Sequence, residues 1–114
     1  MSGAALLVID MQRVYAPGGA WATPGFDRAE ANILRLCRRY PRRLFTRHLP
    51  FSDPPGTWKR YNAEFAGINR DPECARLVPA LEALGHLSFE KQTYSALSSG
   101  ALRAHLLAAD YAEI

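Results

Sequence analysis

Two ionisable residues stand where stretches of strand-like sequence end. Asp10 closes the apolar run Ala4-Ala5-Leu6-Leu7-Val8-Ile9, and Lys91 closes His86-Leu87-Ser88-Phe89-Glu90. In a parallel sheet both emerge at the carboxyl edge of the strands, where open α/β sheets hold their ligands. A carboxyl group and an amine meeting there form an acid–base pair that a ligand can reach. A purely structural ion pair is the competing reading, and position leaves both open.

The elements that must position this pair follow from the pattern along the chain. Leu6 and Val8 face one side of the first strand and Leu7 and Ile9 the other. Both sides are apolar, which places the strand inside a sheet covered on both faces. Met11 to Gly25 is rich in Gly, Pro and Ala and reads as a loop. Asp27 with Glu30 resembles a capping box, and Ile33, Leu36, Cys37 and Tyr40 recur at helical spacing until Pro41 stops the helix. Cys37 on that stripe reads as core filling. Arg43-Leu44-Phe45-Thr46-Arg47 is a second strand, joined to the first by a crossover helix.

From His48 to Asp71 no periodicity stands out, and a loop of this length is usually functional or disordered. Its Phe51, Trp58, Tyr61 and Phe65 argue against disorder and suit either a pocket wall or packing over the sheet. A turn near residues 72–76 and a short helix from Pro79 to Leu84, ended by Gly85, lead to the third strand, His86 to Lys91. Ser98 or Ser99 caps a last helix that buries Leu102, Leu106 and Ala109. Glu113-Ile114 looks like the start of a fourth strand. The order is βαβαβα, an α/β domain over residues 1–114.

Composition narrows the function. The 114 residues carry a net charge of +3 and are 48% hydrophobic, which suits one soluble domain. The arginines at 35, 38, 39, 42 and 43 gather at the end of the first helix and read as a solvated, dipole-complementing helix end. No stripe of base-stacking aromatics accompanies them, so no nucleic-acid partner is expected. No apolar run is long enough to span a bilayer, and no secretory leader is recognised, so a cytoplasmic location and no membrane partner are expected. Cys37 and Cys74 form no metal-like pair and read as free thiols.

Ala5-Leu6-Leu7-Val8-Ile9-Asp10-Met11-Gln12 resembles the opening of the isochorismatase-like cysteine hydrolases, the group that includes nicotinamidases. Thr46-Arg47-His48, Pro55-Gly56-Thr57-Trp58 and Glu90-Lys91-Gln92-Thr93-Tyr94-Ser95-Ala96 resemble later segments of the same family, in the right order. The resemblance implies a three-layer α/β/α fold with a parallel, Rossmann-like sheet, usually oligomeric, and hydrolysis of a C–N bond in a small amide-type substrate. A cysteine thiolate attacks the carbonyl, and water cleaves the acyl-enzyme. On this resemblance Asp10 is the general base and Lys91 its partner, while Tyr15 and Trp58 line the substrate pocket. Some isochorismate-cleaving relatives lack the cysteine and use the aspartate for vinyl-ether hydrolysis.

The family's nucleophile follows a fourth strand in a segment resembling Gly-Val-x-Thr-Asp-x-Cys, and no such segment occurs here. Neither Cys37 nor Cys74 matches it. The chain is therefore expected to be a truncated portion of the fold, inactive by itself, with an inactive remnant or interaction domain as the alternative. The metal-binding Asp-x-His of some relatives is replaced by His48-Leu49-Pro50, so neither metal nor other cofactor is expected. His48 reads as a loop hydrogen-bonder, His86 as a strand-edge residue and His105 as an exposed helix residue. A small-molecule substrate and a homo-oligomer are the expected partners. The first strand, apolar and short of a neighbour on one edge, predicts that the isolated chain associates. Size-exclusion chromatography checks this: elution above monomer mass is expected, and a stable, cooperatively melting monomer contradicts it.

Overall fold

The computed structural model describes residues 2–50, 55–84 and 87–114. Its core element is one long strand in two parts, β1 (Ser2–Ala4) and β2 (Leu6–Ile9), with a break at Ala5. Helix α1 (Phe26–Arg39) leads to β3 (Arg43–His48), which lies parallel to β2 with Leu6 opposite Arg43 and Ile9 opposite Thr46. Four short helices follow: α2 (Thr57–Glu64), α3 (Ala66–Asn69), α4 (Pro72–Ala75) and α5 (Pro79–Glu82). Strand β4 (Leu87–Lys91) then runs parallel to β3, with His48 opposite Lys91. Helix α6 (Gly100–Ala109) carries the chain back to β5 (Tyr111–Glu113), parallel to β1.

The strands thus progress from β2 to β3 to β4 in one direction, and β5 is laid on the opposite side of the first strand. The sense of winding reverses beside β1 and β2. Such a switch point opens a crevice outside the carboxyl ends of the strands, and Asp10 follows β2 there.

Alternation along the strands divides the core as the apolar first strand implies. Leu6, Val8 and Phe45 face α1 and α5, where Phe26, Cys37, Leu77, Val78 and Leu81 complete one cluster. Ala5, Leu7, Leu44 and Phe89 face Leu102 and Leu106 of α6 on the other side. Helices cover both faces, so the fold is the three-layer α/β/α arrangement with a parallel sheet. Fully buried Phe45 at its centre contributes about 2–3 kcal/mol by its removal from water.

Several local expectations are corrected. The chain passes beyond βαβαβα into a fourth strand, β5, which covers the edge of β1; Ala5 N–H also donates to the Glu113 carbonyl at 3.0 Å. Ile9 is 52% exposed rather than buried, and it joins neither of the two core clusters that cover the sheet faces. Helix α1 starts from Gly25 in the left-handed conformation (φ 81°) with no side-chain cap, so Asp27 is a first-turn acid, Glu30 lies beyond the first turn, and the two do not form a capping box. Leu36 faces solvent, and the buried stripe runs through Phe26, Ile33, Leu34 and Cys37.

Arg43 is not part of a solvated cluster. Its guanidinium donates to the carbonyls of Cys37 (3.0 Å) and Tyr40 (3.3 Å) and ties off the helix end. The stretch read as an unpatterned loop contains α2 and α3. Trp58, Tyr61, Asn62 and Phe65 have the i, i+3, i+4, i+7 spacing of a helix face, and the polar Asn62 hid it. Ser99 is the cap of α6, accepting from Leu102 N–H at 3.3 Å. His105 is half-buried against Phe89 and bonded to the Tyr111 hydroxyl at 2.8 Å, rather than exposed. Phe51, Gly85 and His86 lie outside the described residues.

Candidate active site

Asp10 leaves β2 with φ 57°, in the left-handed region that only glycine enters freely. Aspartate tolerates it better than most residues, but such a conformation costs on the order of 1 kcal/mol and needs its surroundings to hold it. Thr46, fully buried on β3, does so. The Asp10 N–H reaches the Thr46 carbonyl and hydroxyl oxygens at 3.2 Å each, and the Thr46 hydroxyl donates to Asp10 Oδ1 at 2.9 Å.

The other carboxylate oxygen, Oδ2, lies 2.8 Å from Lys91 Nζ. β4 is two strands away from β2, roughly 10 Å at the usual strand spacing. A lysine is long enough to cross beneath the intervening strand's end, and its side chain is only 2% exposed on the way. Its ammonium also donates to the carbonyls of Thr93 (3.1 Å) and Tyr94 (3.0 Å). Its three hydrogens therefore have three acceptors, the condition under which a buried ammonium is tolerated.

Gln12 holds the Asp10 turn to the rest of the rim. This buried side chain donates to the carbonyls of His48 and Ala75, both at 3.1 Å, and accepts from His48 N–H at 2.7 Å. Backbone bonds from Arg13 to Arg76 and from Val78 to Met11 bring α4 and α5 alongside. The following loop folds back over the 3₁₀ turn Arg13–Tyr15, with Trp21 N–H on the Val14 carbonyl (2.9 Å). Gly19 permits this close approach, since a Cβ there would stand 2.4 Å from that carbonyl oxygen. Trp21 thereby comes to stack on Tyr15, with ring centroids 6.4 Å apart.

Above the pair opens a cavity of about 560 Å³, a size suited to a small organic ligand. Asp10 and Lys91 line it with His48, Asn62, Asn69, Gln92 and Thr93, and its walls are Tyr15, Trp21, Trp58, Tyr61 and Tyr94. All four sequence-predicted site residues, Asp10, Lys91, Tyr15 and Trp58, meet at this one cavity. Sequence reasoning did not single out Thr46, Gln12, Trp21 or Tyr94. Thr46 and Tyr94 sit in segments of recognisable pattern, but only the sheet register and the β4 exit turn aim them at the site.

Electrostatics distinguish the ionisable groups. Burial, then the Asp10 carboxylate, push the Tyr15 phenol above its ordinary pKa. Burial and the neighbouring Lys91 ammonium push the His48 imidazole below its ordinary value, with Asp10 opposing, so His48 is neutral at pH 7. Among the described residues no three His, Cys, Asp or Glu side chains converge, so the donors for a zinc site do not assemble there.

Neither thiol fits a nucleophile at this pair. Cys37 is 1% exposed in the core, where burial raises its pKa, and Cys74 on α4 is raised by burial and by its 3.6 Å contact with Asp71 Oδ2. Neither lines the cavity over Asp10.

The isochorismatase domain family model matches residues 4–110, nearly the whole sequence. The chain belongs to the isochorismatase domain family. A comparison with curated proteins gives no match. As an isochorismatase-family domain, it carries the hydrolase-type fold with Asp10 and Lys91 at the mouth of the sheet. Among the described residues no helix is long and apolar enough to cross a membrane.

Two outcomes follow from this geometry. Lys91→Met leaves the Asp10 charge uncompensated and the Thr93 and Tyr94 carbonyls without their donor. It should lower unfolding free energy by roughly 3 kcal/mol, the low end for breaking a buried pair because Asp10 keeps some solvent contact. Urea denaturation measures this, and a variant that melts with the parent contradicts it. Iodoacetamide at pH 7 should modify Cys74 slowly and Cys37 only on unfolding, since both thiols are protonated; mass spectrometry of the labelled protein reads the order.

Proposed function

We propose that this isochorismatase-family domain serves hydrolysis of a C–N bond in a small amide-type substrate, with Asp10 as general base and Lys91 as its partner. The single observation that carries this reading is the 2.8 Å contact between Lys91 Nζ and Asp10 Oδ2 on the floor of an aromatic-walled cavity. Tyr15 and Trp58 position the substrate over the pair. Asp10 takes the proton from the attacking group as its bond to the substrate carbonyl forms. Lys91 keeps the carboxylate aimed into the cavity, and its positive charge favours the thiolate form of the attacking group. When the tetrahedral adduct collapses, the same proton passes from Asp10 to the departing nitrogen; Asp10 then takes a proton from the water that cleaves the acyl–sulfur bond and returns it to the departing thiol.

The attacking thiol is not one that this sequence places at the pair. Cys37 is locked in the core and Cys74 stands outside the cavity, both in protonated form. That observation supports the second reading, a domain of the same fold that binds a ligand without turning it over. The nicotinamidase-related substrate range and a homo-oligomeric assembly are likewise proposals, resting on the sequence resemblance.

A small exogenous thiol separates the two readings. The purified chain is incubated with a panel of small acyl p-nitroanilides, with and without millimolar 2-mercaptoethanol, and p-nitroaniline release is followed. The hydrolase reading expects thiol-dependent release that falls by about 100-fold in Asp10→Asn, the usual scale of a lost general base. Release that is indifferent to Asp10→Asn, or none above background in the parent, establishes the non-catalytic reading instead.

A further inference from the structure

The cavity's charge and ring geometry say what kind of head group it accepts. Lys91 is its buried cation, and all three ammonium hydrogens are already taken by Asp10, Thr93 and Tyr94. His48 on the rim is neutral. Among the described lining residues there is no arginine and no second lysine, so a carboxylate or phosphate entering the cavity meets no available positive charge. It would instead approach the Asp10 carboxylate and the electron-rich faces of aromatic rings.

The rings are arranged as walls. Trp58 meets Tyr61 at 5.5 Å and 87°, and Tyr94 at 5.6 Å and 70°. Trp58 thus stands edge-to-face with both tyrosines, and the three rings do not form the parallel leaves that would favour a flat ring. Aromatic walls attract alkylated ammonium groups, because the quadrupole of each ring presents negative charge at its face. Trp58 is 46% and Tyr94 82% exposed, so much of their ring surface is open to an incoming group.

We propose that this cavity binds substrates carrying an alkylated ammonium head group, held against the rings of Trp58, Tyr61 and Tyr94 and facing Asp10. This specificity rests on the reading of the cavity as the substrate site, but it is tested by binding alone. The indole N–H signals of Trp21 and Trp58 are followed by NMR while the whole chain is titrated with choline. The same titration is made with 3,3-dimethylbutan-1-ol, its neutral isostere, and with benzoate as a flat anion.

Choline should bind about fivefold or more tightly than the neutral isostere, the scale of a partly exposed cation–π site. Benzoate should bind weakest, and the Trp58 signal should move most. Trp58→Leu, which keeps apolar bulk and removes the ring, should abolish the preference; Tyr94→Leu, at a largely exposed position that leaves the fold intact, should reduce it. Equal or tighter binding of the alcohol or of benzoate overturns the proposal, as does no saturable shift with any probe or a preference that survives both variants. Thiol-dependent turnover in the anilide assay is a separate result: its failure leaves the binding preference standing, and loss of the preference leaves the role of Asp10 standing.

Discussion

A buried ammonium with three acceptors holds this structure's site together. Lys91 Nζ, almost wholly removed from water, is tolerable only because one carboxylate oxygen and two carbonyls surround it. That requirement ties the end of β4 to the end of β2 across the end of β3. It also fixes the turn through Thr93 and Tyr94, since their carbonyls must point inwards to meet the ammonium. Tyr94 is thereby presented beside Trp58. One desolvated charge thus orders both the acid–base pair and part of the wall above it.

Asp10 has the complementary constraint. Its left-handed backbone is unfavourable, and Thr46, Lys91 and the Gln12 anchor two residues on hold it there. Strain held by surrounding bonds is a common feature of functional sites. The carboxylate remains partly accessible, whereas its partner does not, so the pair presents an oxygen acceptor to the cavity rather than a cation. This asymmetry follows from which strand each residue ends: Asp10 opens at the winding reversal, and Lys91 reaches in from beneath.

The helices from 57 to 82 illustrate how packing and chemistry share residues. The Trp58, Tyr61 and Phe65 stripe packs weakly on the sheet and instead gathers with Tyr15 and Trp21 into a ring cluster, with Tyr61 and Phe65 centroids 4.8 Å apart. Salt links of Arg13 and Arg76 to Glu73 and Glu82 lie exposed at the back of this rim. Exposed pairs contribute little stability. The buried Gln12 bonds are what register the rim against the sheet.

The apolar run from Ala4 to Ile9, the crossover helix and the acid and amine ending two strands were legible in the residues alone, because strand alternation and helical spacing are local properties. So was the family, through segments kept in order. The α2 face was obscured by a polar residue at a buried position, since Asn62 is buried through partners that a hydropathy pattern does not contain. The strand pairing of Tyr111–Glu113 with Ser2–Ala4 was likewise out of reach, because three residues carry no periodicity and their place depends on where α6 delivers them. Which lysine hydrogens remain free, and at what angle the rings meet, belong to the tertiary structure alone. Both depend on distances between segments far apart in the chain, set by sheet register and by the demand that a buried charge leave no hydrogen unmatched.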